Sequence, residues 1–379
     1  MMASNGVVSP RTRLLNRLGP NRWRPRLGLA AATDPWRRGT LRRSIRFLIV
    51  FVFVMPVWLS GSTHADGVVR LRGVHYLGDL PTLVAEQHGL FTKHGVDLDI
   101  DYGVSGKTNL KALRAGDVDF ALMALTPLVI DRLQDTKEGA PDDPVILANL
   151  AHSIRLDHVV LLGTDTNDPK SALSGQRIGL MKGTNAEFTW SLFAARHGLG
   201  EAGVEIIDMT PDAIPDALAA GEISGAVVWQ PWTNRLRARF GDRLRVLPSS
   251  RVYTAKWVVV TRRRVVQQQP SLARRVLAAY DAAILRIHQA PEKALALYYD
   301  RAGIDRPGPD TVRSLIYELS LDWAVLSSLL EQAAWARRAG YGSDGLDPLK
   351  MLDPGPLASV SPASVHIPRP SNGEARSER

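Results

Sequence analysis

The body of the chain contains an internal repeat with a period of roughly one hundred residues. Three pairs of similar segments carry it, first copy then second: "HGL" at 88–90 and 197–199, "GVDLDI" at 95–100 and "GVEIID" at 203–208, "ALRAGDVDFALMALTP" at 112–127 and "ALAAGEISGAVVWQPW" at 217–232. A segment of this length that occurs twice is one structural unit used twice. The repeat therefore predicts two similar lobes.

Each copy alternates strand patterns with helix patterns. In the first copy the strand-like and helix-like segments follow one another along the chain: "VVRLRGVHY", "PTLVAEQHGLFTKH", "VDLDIDYG", "KTNLKALRAG" and "VDFALMAL". The second copy has the same order: "RIGLMKG", "NAEFTWSLFAARHGL", "VEIIDMT", "DAIPDALAAG" and "GAVVW". This order predicts an α/β fold of two β-α-β-α-β lobes, each built on a small parallel sheet.

The remaining segments predict how the lobes are joined. "VILANLAHS" and "DHVVLLG" lie between the copies and "VYTAKWVVVTRR" follows the second copy, so we expect a hinge of two crossing strands. Residues 270–339 have helical spacing, whereas residues from 342 are rich in Pro, Ser and Gly without periodicity, which predicts disorder. The predicted organisation is 1–65, N-terminal extension and signal peptide; 66–155, lobe 1, first part; 156–252, lobe 2; 253–341, lobe 1, second part; 342–379, disordered tail.

The positive charge of the chain is confined to its N-terminal segment. The formal net charge is +9, but residues 1–46 hold 11 Arg, no Lys and a single acidic residue, Asp34. Residues 66–379 carry 36 basic and 37 acidic side chains, so the body is almost neutral. A nucleic-acid partner is therefore not expected, because the body lacks the basic excess that such binding requires.

The N-terminal segment has the order of a secretory signal. Arg42, Arg43 and Arg46 precede the apolar run "FLIVFVFVMPVWL", and "SGSTHA" follows with Ala65 as the expected cleavage point. The run of 13 apolar residues is short for a bilayer-spanning helix, although an uncleaved membrane anchor and a twin-arginine export signal remain alternatives. We expect a periplasmic protein.

Several classes of chemistry are excluded or unsupported. The chain contains no Cys, which excludes disulfides, thiol catalysis and Cys-ligated metal sites. Metal motifs, a nucleophile elbow and paired catalytic carboxylates are not evident, so we expect no cofactor, no metal and no enzymatic activity. "GVSGKT" at 103–108 looks like part of a phosphate loop, but that motif requires Gly at the position of Asp101. The alternative that requires no ligand is that this segment is simply the capped start of a helix.

In their order along the chain, four segments resemble those of one family: "GLFTKHGVDLDI", "GKTNLKALRAGDVDFALMALTP", "LSGQRIGLMKGTNAEFTW" and "GEISGAVVWQPW". The family comprises the periplasmic solute-binding proteins of ABC importers for sulfonates, taurine, nitrate and thiamine-pyrimidine precursors. The resemblance covers roughly residues 68–340. It implies a two-lobed, type II periplasmic binding protein fold that closes around a small ligand and delivers it to a membrane permease.

If the two copies face each other, the loops after their strands converge on one cleft, where several helices begin. The candidate ligand-binding residues are Tyr76, Leu77, Asp79, Ser105, Gly106, Thr126, Thr184, Asn185, Trp229, Gln230 and Trp232. Trp229 and Trp232 form either the apolar wall of this cleft or part of the core. Lys107 either contacts the ligand or points to solvent, and Asp157 either meets a ligand amine or forms a salt bridge in the hinge.

The expected function is the capture of a small organic anion, an aliphatic sulfonate or taurine first of all, by a monomeric component of an ABC importer. The partners that this implies are the anion and the permease at the inner membrane. Two other functions stay open at this stage. One is an enzyme of the same fold, of the thiamine-pyrimidine synthesis or desulfination type, and the other is a periplasmic sensory protein.

Overall fold

The computed structural model describes residues 67–135, 139–163, 168–200, 202–247, 252–303, 314–342 and 345–367, all within one compact unit, Thr63–Arg379. The predicted signal peptide and its cleavage point at Ala65 lie outside the described residues, as do residues 368–379. In the described part of the chain, no helix combines the length and the apolar composition needed to cross a membrane.

The first sheet has six strands in the order β11-β4-β10-β3-β1-β2. Their bounds are β1 (Val69–Val74), β2 (Leu98–Gly103), β3 (Phe120–Ala124), β4 (Pro144–Ser153), β10 (Ala255–Arg262) and β11 (Ile316–Ser320). β1 pairs in parallel with β2 and β3, and β10 pairs antiparallel with β3 and β4. Every residue of β3 and β10 is buried, as expected for central strands that are covered on both faces.

The second sheet has five strands in the order β7-β6-β8-β5-β9. Their bounds are β5 (Asp157–Leu162), β6 (Arg177–Leu180), β7 (Glu205–Asp208), β8 (Gly225–Trp229) and β9 (Leu244–Val246). β6 pairs in parallel with β7 and β8, and β5 pairs antiparallel with β8. The arrangement β7-β6-β8 reproduces β2-β1-β3, so the sequence repeat is also a repeat of topology. The predicted α/β class with two β-α-β-α-β units is confirmed.

Helices cover both sheets, and their bounds are α1 (Leu80–Gln87), α2 (Leu90–Lys93), α3 (Gly106–Ala115), α4 (Leu125–Gln134), α5 (Pro169–Leu173), α6 (Asn185–Arg196), α7 (Ile214–Ala219), α8 (Trp232–Phe240), α9 (Arg263–Gln268), α10 (Pro270–Gln289), α11 (Pro291–Ala302), α12 (Trp323–Arg338) and α13 (Gly355–Val360). We call the first sheet with its helices the first lobe and the second sheet with its helices the second lobe. β11 interrupts the region 270–339 that the sequence predicts to be helical.

The strands expected to cross between the lobes each belong to one sheet. β4 and β10 lie side by side in the first sheet, whereas β5 pairs with β8 and β9 in the second. The chain passes between the lobes through the short segment 154–156 and again between β9 and β10. The strands stay within the sheets because each gains a neighbour there for its backbone N–H and C=O groups.

The expectation of a disordered tail from residue 342 is wrong for residues 345–367. Met351, Leu352 and Leu357 are 3, 2 and 0 % exposed. The Asp353 N–H donates to the carbonyl of Ile146 at 3.0 Å, so this segment packs directly along the first sheet. Its apolar residues are too few to form a pattern, yet these three are inserted into a core that the rest of the chain provides. Burial of this kind offsets the ordering entropy of a short segment.

Candidate functional site

A narrow pocket lies where strands of both sheets end. Its described lining residues are Val74, Tyr76, Ser105, Gly106, Lys107, Ala124 and Pro127 from one side of the first lobe, Thr184, Asn185 and Trp229 from the second lobe, and Trp257 from β10. The volume in which the centre of a water molecule can lie is about 10 Å³, roughly the space for one water. Open α/β sheets bind their ligands at this position, outside the carboxyl ends of the parallel strands.

Three helices begin at this pocket. Ser105 caps α3, since its Oγ accepts a hydrogen bond from the Thr108 N–H at 3.2 Å while Thr108 Oγ1 accepts one from the Ser105 N–H at 3.1 Å. Thr184 caps α6, with 3.2 Å between its Oγ1 and the Ala186 amide nitrogen. α4 begins at Leu125, directly after β3, with Ala124 as its N-cap residue. The N-terminal amides of three helices and the positive ends of their dipoles are thus gathered around one small volume, which favours an anion.

Gly106, the first residue of α3, lies directly against Met123 of β3. A Cβ atom on Gly106 would lie 2.6 Å from Met123 Cβ and 3.0 Å from Met123 Cα. Because Met123 belongs to a buried strand, it cannot yield, and any side chain at 106 would push the start of α3 away from the sheet. The capped helix start predicted for this segment is confirmed, and its glycine is explained by packing.

Lys107 connects the two lobes across the pocket. Its Nζ donates a hydrogen bond to the carbonyl oxygen of Lys182, in the loop after β6, at 2.7 Å. The side chain passes close to Gly183, where a Cβ atom would lie 3.0 Å from Lys107 Nζ and where φ is +76°. The sequence left the direction of Lys107 open. The structure places it along the wall of the pocket, with its ammonium group held between the lobes.

Glu187 and Tyr341 hold the same loop from another side. Glu187 Oε2 accepts a hydrogen bond from the Gly183 N–H at 2.6 Å and a second one from Tyr341 OH at 2.6 Å. Tyr341 follows α12 and belongs to the first lobe, whereas Glu187 lies in α6 of the second. First-lobe side chains therefore hold the loop at 182–183 in two ways, Lys107 directly and Tyr341 through Glu187. Both contacts favour the arrangement in which the lobes are close together.

Aromatic side chains form the apolar wall of the pocket. The rings of Tyr76 and Trp257 have centroids 4.5 Å apart. Trp229, at the end of β8, is only 5 % exposed and belongs to the main hydrophobic core while it also lines the pocket. Core and cleft wall are therefore not alternatives for Trp229, since the residue contributes to both.

Asp157 lies behind this wall, at the first residue of β5. Its Oδ1 accepts a hydrogen bond from Asn185 Nδ2, and its Oδ2 accepts one from Tyr253 OH at 3.0 Å. Burial raises the pKa of Asp157 to about 7, although the hydrogen bonds act in the opposite direction. The hinge salt bridge that the sequence left open is not formed by the described residues. Asp157 instead links the return segment between the lobes, through Tyr253, to the start of α6.

The pocket brings together six of the candidate residues that the sequence indicated: Tyr76, Ser105, Gly106, Thr184, Asn185 and Trp229. They come from both copies of the repeat and from four different loops, as the prediction that these loops converge requires.

Two of the other candidates lie beneath the pocket. Leu77 is fully buried in the core. Asp79 is 3 % exposed, and its carboxylate accepts hydrogen bonds from the Val74 N–H at 2.9 Å and from the Thr82 hydroxyl. Burial raises the pKa of Asp79 to about 8. Both residues follow the end of β1, and their side chains point into the first lobe. They therefore do not reach the surface of the pocket, although they are close to Tyr76 in the sequence.

The last three candidates are engaged within their own lobes: Thr126 Oγ1 donates to Gln332 Oε1 at 2.8 Å, Gln230 Nε2 donates to Asn234 Oδ1 at 3.1 Å, and the half-buried Trp232 ring lies 4.7 Å from the Arg235 guanidinium carbon. None of the three is among the described lining residues. They support the pocket from outside it.

Sequence reasoning missed part of the wall, namely Val74, Ala124 and Trp257, whereas Pro127 lies in a loop that it expected at the cleft. Val74 has a signal, since it lies two residues before Tyr76 at the end of β1, and side chains two apart in an extended chain share a face. Trp257 has none, because nothing in "VYTAKWVVVTRR" shows that β10 runs beside β3.

Comparison with known proteins gives a family and a fold. A family model described as NMT1/THI5 like matches residues 79–294. A protein of Brucella abortus (strain 2308) described as a binding protein is 23% identical over 211 residues, which are 55% of this chain and 63% of the relative. The taurine-binding periplasmic protein of Escherichia coli (strain K12) is 28% identical over 201 residues, 52% of this chain and 56% of the relative. The match thus spans less than two thirds of each relative.

Solved structures show the same architecture. The periplasmic aliphatic sulphonate binding protein SsuA of Escherichia coli superposes with a TM-score of 0.61 at 16% identity, over 74% of this chain and 95% of that one. The periplasmic nitrate-binding protein NrtA of Synechocystis PCC 6803 gives 0.59 at 16%, over 78% and 88%. The desulfurization enzyme DSZB gives 0.56 at 15%, over 78% and 99%. These likenesses establish the two-lobed periplasmic binding protein fold.

Proposed function

Because the chain belongs to the NMT1/THI5-like family, we propose that it is the substrate-binding component of an ABC importer and captures a small organic anion, an aliphatic sulfonate or taurine. The observation that carries this proposal is the convergence of three helix N-termini and the Lys107 ammonium on a pocket walled by Tyr76, Trp229 and Trp257. An anionic head group with a short organic part matches that combination.

In this proposal the head group is held by backbone amides and hydroxyls near Ser105, Gly106, Thr184 and Asn185. The organic part lies against the aromatic wall, with Trp229 on one side. Leu77, Asp79, Thr126, Gln230 and Trp232 keep the surrounding loops in place rather than touching the ligand. The arrangement resembles neither a buried hydrophobic site nor a purely electrostatic one, so both the charge and the apolar area of a ligand should contribute to its affinity.

The mechanism is capture by closure. Residues of both lobes line the pocket, so in this mechanism the lobes separate to admit the ligand and close again around it. The contacts of Lys107 and Tyr341 form between the lobes, so in this mechanism closing is a rigid-body motion of one lobe relative to the other. A ligand that touches both lobes stabilises the closed form, which the permease then recognises.

The proposal includes a periplasmic location, secretion with cleavage near Ala65, delivery to a permease at the inner membrane and action as a monomer. The relatives in the comparison include periplasmic binding proteins, which supports this location. N-terminal sequencing of the protein from a periplasmic fraction tests the cleavage. Intact Arg42 on a membrane-bound form contradicts it.

We also propose that the protein binds its ligand without converting it, even though one structural neighbour is an enzyme. The chain has no Cys, and the lining residues within the described ranges include no Asp, Glu or His that could serve as an acid or base on a bound ligand. The relatives named above as binding proteins agree with this proposal.

The test of the function is calorimetric titration of the mature protein with ethanesulfonate, butanesulfonate, taurine, nitrate and sulfate, after native mass spectrometry has shown whether a small molecule is retained on purification. We expect one site per chain, with sulfonates that carry an organic part bound more tightly than sulfate or nitrate. Chromatography of each sulfonate after hours with the protein should show full recovery. Binding of nitrate alone, or multiple turnovers of a sulfonate, contradicts the proposal.

A further inference from the structure

The charged side chains that line the described pocket are of one sign only. This narrows the class of ligand beyond the requirement that it be an anion. Among the described lining residues Lys107 carries the only full charge, and it is positive. An ammonium group has three N–H donors, and the carbonyl of Lys182 accepts one of them at 2.7 Å. Two donors remain for an anion held between the starts of α3 and α6.

The rest of the wall cannot neutralise a positive charge on the ligand. Val74, Ala124, Pro127, Trp229 and Trp257 present apolar or aromatic surface to the pocket. An ammonium group placed against such surface loses its water and gains no carboxylate partner, and the cation–π attraction of an indole face, about 0.5 to 2 kcal/mol, offsets only part of that cost. A methyl or methylene group in the same place gains from burial. The part of the pocket that faces the organic end of the ligand therefore suits an uncharged chain.

Two buried carboxylates lie behind this wall: Asp157 pairs with Trp229 between β5 and β8, and Asp79 accepts a hydrogen bond from the Val74 N–H and points into the first lobe. Asp157 is the one whose neighbour in the sheet is a tryptophan of the wall. It does not line the pocket, and each of its oxygens already accepts a hydrogen bond, one from Asn185 and one from Tyr253. Its burial also raises its pKa to about 7, so its negative charge is incomplete near neutral pH. Asp157 is thus engaged in holding Asn185 rather than positioned to receive a ligand amine.

We infer that the pocket selects an organic monoanion without an amino group, of the alkanesulfonate kind, over a zwitterion such as taurine, with Lys107 as the counter-ion of the head group. This inference rests on the proposed function and narrows its substrate class.

The first test compares two ligands that differ in one group. Ethanesulfonate and taurine share the sulfonate and the two-carbon chain, and only taurine carries an ammonium group. In titrations of the wild-type protein we expect ethanesulfonate to bind at least about 10-fold more tightly, on the scale set by leaving a buried charge unpaired. Equal or tighter binding of taurine overturns the inference and leaves the proposed function in place. If no sulfonate in the titration panel binds, both are overturned.

The second test concerns Lys107. Lys107→Met removes the ammonium and keeps most of the stem, and Lys111→Met is the matched control, because Lys111 is exposed on the next turn of α3. We expect Lys107→Met to weaken ethanesulfonate binding by about 10- to 100-fold, as for the loss of a hydrogen bond to a charged group, and the control to stay within about twofold. Equal effects of the two substitutions overturn the role of Lys107. A loss of affinity accompanied by a large fall in the urea midpoint assigns Lys107 a structural role and also overturns it.

The third test asks whether Asp157 receives an amine. Asp157→Asn keeps the size of the side chain and removes its charge, and the remaining amide oxygen can accept one of the two hydrogen bonds that Asp157 accepts. We measure the dissociation constant for ethanesulfonate divided by that for taurine, in the variant and in the wild type. If the inference holds, this ratio changes by no more than about threefold, even if the variant binds both ligands more weakly. A loss confined to taurine shows that Asp157 serves as the counter-ion of an amine and overturns the inference.

Discussion

Trp229→Ala should reduce both the stability of the protein and its affinity for a sulfonate, because Trp229 is at once core and pocket wall. The side chain is 5 % exposed and packs in the main hydrophobic cluster. Replacing a buried Trp by Ala destabilises proteins by about 3 to 5 kcal/mol. A protein whose stability exceeds about 7 kcal/mol, within the ordinary range of about 5 to 15 kcal/mol, remains folded after such a loss. The variant should therefore be available for binding measurements.

The effect of Trp229→Ala on binding follows from the lost apolar contact. Removal of an aromatic wall is worth about 1 to 3 kcal/mol, which corresponds to roughly a 5- to 150-fold increase in the dissociation constant. Urea unfolding is followed by far-UV circular dichroism, because this signal depends mainly on the backbone and little on the substituted tryptophan. It gives the change in the free energy of unfolding. Titration with butanesulfonate gives the change in affinity, at a temperature where the variant is fully folded.

Trp232→Ala is the matched control, because Trp232 comes three residues later, is half-buried and does not line the described pocket. Its contact with Arg235 is a cation–π pair 4.7 Å from ring centroid to guanidinium carbon, worth about 1 kcal/mol. We expect the affinity of this variant to stay within about threefold of the wild type. The reasoning is refuted if Trp232→Ala weakens butanesulfonate more than Trp229→Ala does, or if Trp229→Ala leaves either stability or affinity unchanged.

Three further outcomes are expected. Leu357→Ala should lower the free energy of unfolding in urea by about 2 to 5 kcal/mol, because the side chain is fully buried. Leu349→Ala, at a position 36 % exposed, should lower it by under about 1 kcal/mol. Equal effects of the two substitutions contradict the packing of the C-terminal segment. The raised pKa of Asp157, about 7, means that the folded state holds a proton that the unfolded state releases near pH 4, so this group lowers stability as pH rises from about 4 to about 7. Asp157→Asn should therefore gain stability relative to wild type across that interval in unfolding curves, and a constant difference contradicts this. Tyr341→Phe removes the hydrogen bond to Glu187 between the lobes and should weaken sulfonate binding roughly fivefold. Most of this loss should appear as a faster release rate in stopped-flow measurements. An unchanged release rate shows that this contact does not favour closure.

The sequence by itself determined the lobes and the kind of site. Local apolar periodicity specifies each strand and helix, and a segment used twice must fold twice in the same way, which is why β7-β6-β8 repeats β2-β1-β3. The start of α3 was also readable, because Ser105 and Thr108 cap a helix through contacts only three residues apart. Loops after parallel strands gather at one edge, so the candidates Tyr76, Ser105, Thr184 and Trp229 could be placed in one cleft.

The tertiary structure decided which side chains face that cleft and what lies opposite them. Asp79 and Thr126 point into the first lobe, because a residue that follows a strand end turns either way according to what it packs against. Trp257 reaches the wall only because β10 pairs antiparallel with β3, across more than a hundred residues of sequence. The C-terminal segment orders for the same reason, since Leu357 has no apolar pattern of its own and fills a space that α10 and β4 leave between them. Contacts between residues so far apart produce no periodic pattern in the sequence. They can therefore be identified only from the folded structure.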